Sequence, residues 1–587
     1  MMSFLTCVFI AYIIPSCSGN LPLDDYSKKS SQTNIDVDCN NEPELVKDAI
    51  KLTVDFTDSS KKNCKIYNVW SVANRISPQA GSNVREGLSV NLIRMLGGIL
   101  KDKKTYYDYD VCKYNQQTGK YDYDFTPLFA RLDKIVNSGT PIQQFVLDQP
   151  DWAFQQGYKF IPTGTSDGKN FRENEKQSIY GNSLPPSDKR AYADFISELM
   201  RRLIDRYGRD MVASWQFRIG SEIETPDHWF GTKQEFIEHF KNVAKAVRSV
   251  LPEAKIGPHT REYDFVYSKN NYLNYKGEKV TSFANEILSQ CKDENIKIDF
   301  WGVSDYVMVN NKKSRNIPAK YEELFGKFIN DSNWDSSTKL DLMEYSAIVS
   351  MGAAGNTFIN CVTSHTPVLE LCLTNQFYKY HNKGLRYIYR WGNRTDQKEA
   401  THIRMVNNMI GMQGYNATVE GTPKIADNVV DAISATSGNG EFDVIVYNYN
   451  VESFDYSDTD EPVNIILETS LPSGTKVRYR SLSYSAVNNK ANLYLERYGT
   501  KFHKTEKGID EKGDPALCLN SIGLELYNSM PDPKEYDESD WKLTTVTTSP
   551  DDKNKGVISI TTTLPSFSYK MFEFKKTINQ NKSWKII

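Results

Sequence analysis

V-A-S-W-Q-F-R-I-G-S-E-I-E-T-P-D-H-W-F-G-T-K-Q-E-F-I-E-H-F-K-N-V-A-K-A-V-R-S-V-L-P-E-A-K-I-G-P-H-T, residues Val212 to Thr260, is the stretch whose reading decides the fold. Trp215, Phe217 and Ile219 alternate as strand residues do, and the run then delivers Ser221 and Glu222 at its C-terminal end. A charged, aromatic loop follows. Phe236, Ile237, Phe240, Val243, Ala244 and Val247 then keep the spacing of one helix face, and Lys255-Ile256-Gly257 begins another strand. Strand, loop, helix, strand is the unit of a parallel α/β protein. An acid at the end of a barrel-type strand, followed by Trp229 and Phe230, is where sugar chemistry is expected.

The same rhythm extends outward. Upstream, Ile66 to Val72, Val90 to Met95 and Pro141 to Leu147 read as strands, with helices over Phe125 to Val136 and Tyr192 to Tyr207. Gly208 stops the second helix, as a C′ glycine does. Downstream, Ile298 to Val303, Lys339 to Met343 and Leu385 to Trp391 complete a set of eight. Eight strands alternating with helices over about 350 residues predict a (β/α)8 barrel. A doubly wound open sheet is the runner-up, disfavoured because no Gly-rich phosphate loop is present.

Beyond about Tyr415 the helical pattern is expected to stop. Phe442 to Tyr447, Val463 to Leu467, Lys476 to Leu482, Val557 to Thr563 and Ser566 to Phe574 read as strands of an antiparallel β-sandwich. The alternating run Ile50 to Phe56 is a candidate to complete it. The expected organisation is a signal peptide over 1–18, a leader and extra strand over 19–64, a barrel over 65–415 and a β-sandwich over 416–587.

The first residues form a short apolar run ending in small residues, which reads as a secretory signal although a basic start is missing. Secretion is the expectation, with lipid anchoring through Cys17 in I-P-S-C as the alternative. No later apolar stretch approaches the ~20 residues of a membrane span. Lys and Arg number 71 against 74 Asp and Glu, a net charge of −3, so the basic surplus of a nucleic-acid partner is absent. The seven cysteines beyond the first 18 residues contain no C-x-x-C pair, so neither a zinc site nor a redox site is expected. No metal or cofactor is predicted, and oligomeric state is not legible.

Glu222 ends the fourth strand, and Glu344 ends the seventh in L-D-L-M-E-Y-S. Two such strand ends face one mouth of a barrel, and two carboxyls across one cavity suit glycosidic cleavage. One serves as general acid and the other as nucleophile or base. Salt-bridged loop acids are the plainer alternative.

Further residues carry a family likeness. Pro185-Pro186, Arg206-Tyr207-Gly208, Trp215 to Glu222, Gly231-Thr232 with Phe236, Pro252 and Ile256-Gly257-Pro258 follow one another in order. This block, Leu184 to Thr260, resembles glycoside hydrolase family 39, retaining (β/α)8 enzymes that include β-xylosidases and α-L-iduronidases. The likeness continues more thinly over residues 65 to 400, through Val90 to Gly97, Asp299 to Tyr306 and Leu340 to Tyr345. It implies Glu222 as acid/base and Glu344 as nucleophile of a secreted hydrolase degrading a polysaccharide or oligosaccharide. The alternative left open is an inactive carbohydrate-binding protein on the same barrel. An unrelated barrel lyase or isomerase would need a Lys or metal cluster at the strand ends, which is not seen.

The chain departs from the family pattern twice. Ser221 stands where the family has an Asn that hydrogen-bonds the sugar 2-hydroxyl, and Ser304 stands for a His on the sixth strand, while Tyr306 is kept. Candidate substrate contacts are therefore Ser221, Tyr306, Arg94 on the second strand, His259 after the fifth, and Trp391 at the end of the eighth. Trp152, with Asp148, and Trp229, with Asp227 and His228, are candidate subsite walls, since aromatic faces stack on sugars as readily as they pack in cores. Asn74-Arg75 could also reach the mouth.

Overall fold

The computed structural model describes residues 45–67, 72–73, 89–94, 111–137, 139, 142–147, 153–154, 184–226, 228–263, 273–308, 316–348, 361–390, 401–452, 460–485, 490–499, 501–504, 518–531 and 536–577. The leader and its cysteine, Asn74-Arg75, Asp148, Trp152, Asp227 and Trp391 lie outside them.

Eight parallel strands form the first layer: β1 Val72–Ala73, β2 Ser89–Arg94, β3 Ile142–Leu147, β4 Gln216–Ile219, β5 Lys255–Thr260, β6 Phe300–Met308, β7 Lys339–Ile348 and β8 Leu385–Arg390. They pair in sequence order, and the order returns on itself where β8 meets β1 through the single pair Arg390–Ala73. The joint is narrow, because β1 also meets β2 through only two pairs. Among the described residues, seven helices of eight residues or more alternate with them: α1 Thr126–Asn137, α2 Lys189–Tyr207, α3 Lys233–Val250, α4 Ala284–Asp293, α5 Ile317–Ile329, α6 Cys361–His381 and α7 Thr401–Asn408, with the short helix Arg209–Ser214 following α2.

The first strand was expected over Ile66 to Val72, and its described part is Val72–Ala73, with Ile66 outside it. Ile66 is diverted because its backbone N–H donates to the Met412 carbonyl at 2.9 Å while its own carbonyl accepts from Gly411 at 2.8 Å. Lys62–Lys65 accordingly joins a different sheet.

Helix α3 shows how local sequence sets an element. Thr232 accepts from the Glu235 backbone N–H at 3.1 Å, and the Glu235 carboxylate accepts from the Thr232 N–H at 2.8 Å, closing a capping box. Its apolar face, Phe236, Ile237, Phe240, Val243 and Val247, is wholly buried against the strands. Inside the ring, Gly257 and Gly302 allow close strand contact. A Cβ on Gly257 would lie 1.9 Å from the Phe300 carbonyl oxygen, and one on Gly302 2.3 Å from Met343 Cγ.

Two further sheets share a second core. One runs Thr418–Glu420, Ile50–Asp55, Glu461–Thr469, Gly556–Leu564, Thr547–Thr548. The other has eight strands, with Asn428–Thr436, Glu441–Asn450, Ser568–Lys576 and Lys476–Ser485 at its centre. Ile50, Leu52, Val54, Val463 and Ile465 from the first meet Val444, Val446, Phe572 and Phe574 from the second. Pairing is antiparallel except for Ile50–Asp55, which lies parallel to Glu461–Thr469. Helices do not stop at Tyr415, since Lys490–Tyr498 and Ser521–Ser529 are both helical. Tyr494 and Leu519 make a small core of their own there.

Helix α6 packs against the second sheet. Asn375 Nδ2 donates to Tyr447 Oη at 2.9 Å, Lys379 pairs with Asp431, and the Ile317 N–H at the start of α5 donates to Tyr449 Oη at 3.2 Å. One core accordingly runs from the barrel helices into Ile433, Tyr447, Tyr449 and Met571 of that sheet.

Candidate active site

Strand β4 is buried along its whole length, and the chain leaves it through two successive departures from ordinary backbone. Gly220 has φ 75°, which glycine adopts freely, and Glu222 has φ 41°, which an L-residue adopts only under constraint. Glu222 is 5% exposed.

Four side chains act on it. Arg261 Nη1, just past β5, lies 3.4 Å from Glu222 Oε2. His228, Arg218 and the Ser304 hydroxyl also favour its charged form. Burial alone pushes the carboxyl up, but these partners together outweigh it and hold Glu222 below the ordinary glutamate range. His228 is fixed in turn by its Nδ1–H, which donates to the Ser221 carbonyl at 2.7 Å.

Glu344 lies on β7 and is 6% exposed. Its Cα pairs in register with Ser304 of β6, immediately past a register shift between Val303 and Ser304. That irregularity sets Ser304 opposite Glu344, four residues inside the C-terminal end of each strand, so Glu344 does not end the seventh strand as expected. The same serine favours the charged form of Glu222.

Ser221 is 2% exposed, and its hydroxyl faces the protein. Arg218 Nη2 donates to its Oγ at 3.3 Å, and His259 Nδ1 lies 3.4 Å from the same oxygen. His259, on β5, is fully buried, and its Nε2 lies 2.9 Å from Ser304 Oγ. Trp229 is a core residue and not a wall of the cleft. It is 3% exposed, packs edge-on against Phe236 at 5.1 Å, and donates its indole N–H to the Thr232 carbonyl at 3.0 Å. Arg94 ends β2, in register with Val146 of β3, and Tyr306 lies on β6 two residues beyond Ser304, in register with Ser346.

Sequence reading missed Arg261 and Glu224. Glu224 is fully buried two residues after Glu222, accepting from the Arg261 N–H at 2.9 Å and the Phe283 N–H at 3.3 Å. Burial pushes its carboxyl up to about 7. The repeat of acids in S-E-I-E-T was the available signal for Glu224. Arg261 gave none, being one cation after P-H-T. Among the described residues no group of His, Cys, Asp and Glu is placed to hold a metal ion.

Comparison with known proteins bears on this arrangement. Residues 160–327 match the family model for glycosyl hydrolases family 39. The chain is 30% identical over 530 residues to an alpha-1,4-L-rhamnosidase of Formosa agariphila, covering 90% of this chain and 93% of that one. Among solved structures, a monomeric beta-xylosidase from Caulobacter crescentus superposes with a TM-score of 0.55 at 13% identity, over 90% of this chain and 100% of that chain. A family 39 enzyme from Xanthomonas axonopodis pv. citri gives 0.54 at 13% identity, over 90% and 97%. At such identities the two structures speak for the fold alone.

A buried pair of acids on a parallel-strand scaffold with these likenesses defines a glycoside hydrolase. The chain belongs to glycosyl hydrolase family 39.

Proposed function

We propose that the chain is a secreted, retaining glycosidase in which Glu222 is the acid/base and Glu344 the nucleophile, built as a (β/α)8 barrel followed by a β-sandwich. The observation that supports the residue assignment is Ser304, whose hydroxyl favours the ionised form of Glu222 and whose Cα is in register with Glu344. In the first step Glu344 attacks the anomeric carbon while Glu222 gives its proton to the leaving oxygen. In the second, Glu222 takes a proton from water as that water releases the sugar from Glu344. Retention requires the two carboxyls ~5–5.5 Å apart, against the ~6.5–9.5 Å of an inverting pair. The residue ranges 65–415 and 416–587 are proposed as the two domains, and export through the first 18 residues as the localisation.

For the sugar, the likeness over most of both chains to the Formosa agariphila rhamnosidase supports an α-L-rhamnoside. Ser221 is consistent with this. An Asn that would grip an equatorial 2-hydroxyl is missing, and rhamnose carries that hydroxyl axially.

The test is turnover of an aryl α-L-rhamnoside by Glu222→Gln and Glu344→Gln. Each is expected to lose at least ~10²-fold in kcat with the fold intact, and azide is expected to restore turnover only to Glu222→Gln. Product released first as the α anomer would establish retention. Wild-type turnover in either variant refutes that residue's role, and activity confined to xylosides refutes the sugar. Because Glu222 is held low, its proton is lost early, so the rate is expected to fall as pH rises through the acidic range.

A further inference from the structure

Ser221 and Ser304 are the two places where the chain departs from its family pattern, and both end on one imidazole. Ser221 Oγ lies 3.4 Å from His259 Nδ1, and Ser304 Oγ lies 2.9 Å from His259 Nε2. All three residues are buried, the serines 2% and 9% exposed and the histidine 0%. Arg218 Nη2 reaches Ser221 at one end, and at the other the Ser304 hydroxyl favours the charged form of Glu222.

The ends fix the direction. A guanidinium only donates and an ionised carboxylate only accepts. A neutral imidazole has one donor and one acceptor nitrogen. With Glu222 ionised, Ser304 donates to it, His259 Nε2–H donates to Ser304, and Ser221 donates to His259 Nδ1. Every hydroxyl proton points toward the acid. With Glu222 protonated the sense reverses: Glu222 donates to Ser304, Ser304 to His259 Nε2, and the imidazole proton sits on Nδ1, facing Ser221. The Ser221 oxygen has two lone pairs and accepts from both His259 and Arg218. With Glu222 ionised every proton of the relay has an acceptor, and with Glu222 protonated the Ser221 hydroxyl gives up His259 as its acceptor, so the relay favours the ionised acid.

We propose that Ser221, His259 and Ser304 form a positioning relay that follows the proton on Glu222 by exchanging the His259 tautomer, so that the two serine replacements are one coupled change. This rests on Glu222 being the acid/base. A hydroxyl held toward the carboxylate stabilises its ionised form, as does the buried cation at Arg218. The titratable and charged groups on the elements around Glu222 are Arg218 of β4, Glu224 and His228 after it, His259 and Arg261 at β5, Asp305 of β6 and Glu344 of β7.

The experiment is the pH profile of kcat/KM for an aryl glycoside, whose basic limb reports the free-enzyme acid. Removing the donor in Ser304→Ala is expected to move that limb up by about one pH unit, and Ser304→Thr, which keeps the hydroxyl, to restore it. His259→Asn, whose amide reaches only the Nδ1 position, is expected to move it in the same direction. A limb unchanged in Ser304→Ala overturns the relay, and if that variant fails to fold, an unchanged limb in His259→Asn does so. Wild-type turnover in Glu222→Gln would instead sink the assignment of the acid, so the two failures are told apart.

Discussion

At the scale of single residues, Glu224 is the group whose chemistry is most open to measurement. Its carboxyl is buried and raised to about 7, while in an unfolded chain it titrates near 4.5. Between those values the folded protein holds a proton that the unfolded chain releases, so stability falls as pH rises through that window and levels off above it. Glu224→Gln removes this dependence. Its unfolding free energy relative to wild type, from chemical denaturation, is expected to be higher at pH 8 than at pH 5, by about 3 kcal/mol at most. A difference that does not change with pH would mean that Glu224 is ionised throughout. The proton matters to the site because Glu224 holds the backbone of Arg261, the cation nearest Glu222.

At the scale of elements, the strands and helices with strong periodicity were legible and the site's irregularities were not. Helix α2 was expected over Tyr192 to Tyr207 with Gly208 after it, and it spans Lys189–Tyr207 with Gly208 as its cap. Both glutamates were visible as acids following apolar strand runs, although Glu344 lies within β7 and Glu222 beyond the end of β4. Ile66 was placed in the first strand because its apolar run continues toward Val72, whereas its backbone is bonded to Met412 and Gly411. Helices Lys490–Tyr498 and Ser521–Ser529 escaped notice because both are only nine residues, too short for a repeated apolar face. The burial of Trp229 could not be told from that of a sugar platform, since the same ring serves either purpose. Two substitutions rank the forces that shape this half. Gly257→Ala forces a methyl onto the Phe300 carbonyl and is expected to cost several kcal/mol, because backbone cannot yield. Thr232→Ala removes one half of the α3 cap and is expected to cost only about 1 kcal/mol. Chemical denaturation orders the two, and a cap loss exceeding the glycine loss would contradict the packing described for β5 and β6.

At the scale of the whole molecule, the barrel helices and the second sheet share one core, with polar ties at Asn375–Tyr447, Lys379–Asp431 and Ile317–Tyr449. A core held in common couples the melting of both parts. Scanning calorimetry is expected to show one cooperative transition. Tyr447→Phe, which strands the buried Asn375 amide, is expected to lower that single transition without splitting it. Two resolved transitions in the wild type would mean that the shared packing is weak.

The parallel pairing of Ile50–Asp55 with Glu461–Thr469 also sets a clock for biosynthesis. The early strand leaves the ribosome about 400 residues before its neighbour is made, which at ~5–20 residues per second is roughly 20–80 s. Throughout that interval Ile50, Leu52 and Val54, buried in the finished protein, have no sheet to join. The nascent chain must be shielded there, and the second sheet pair can close only after translation has nearly ended.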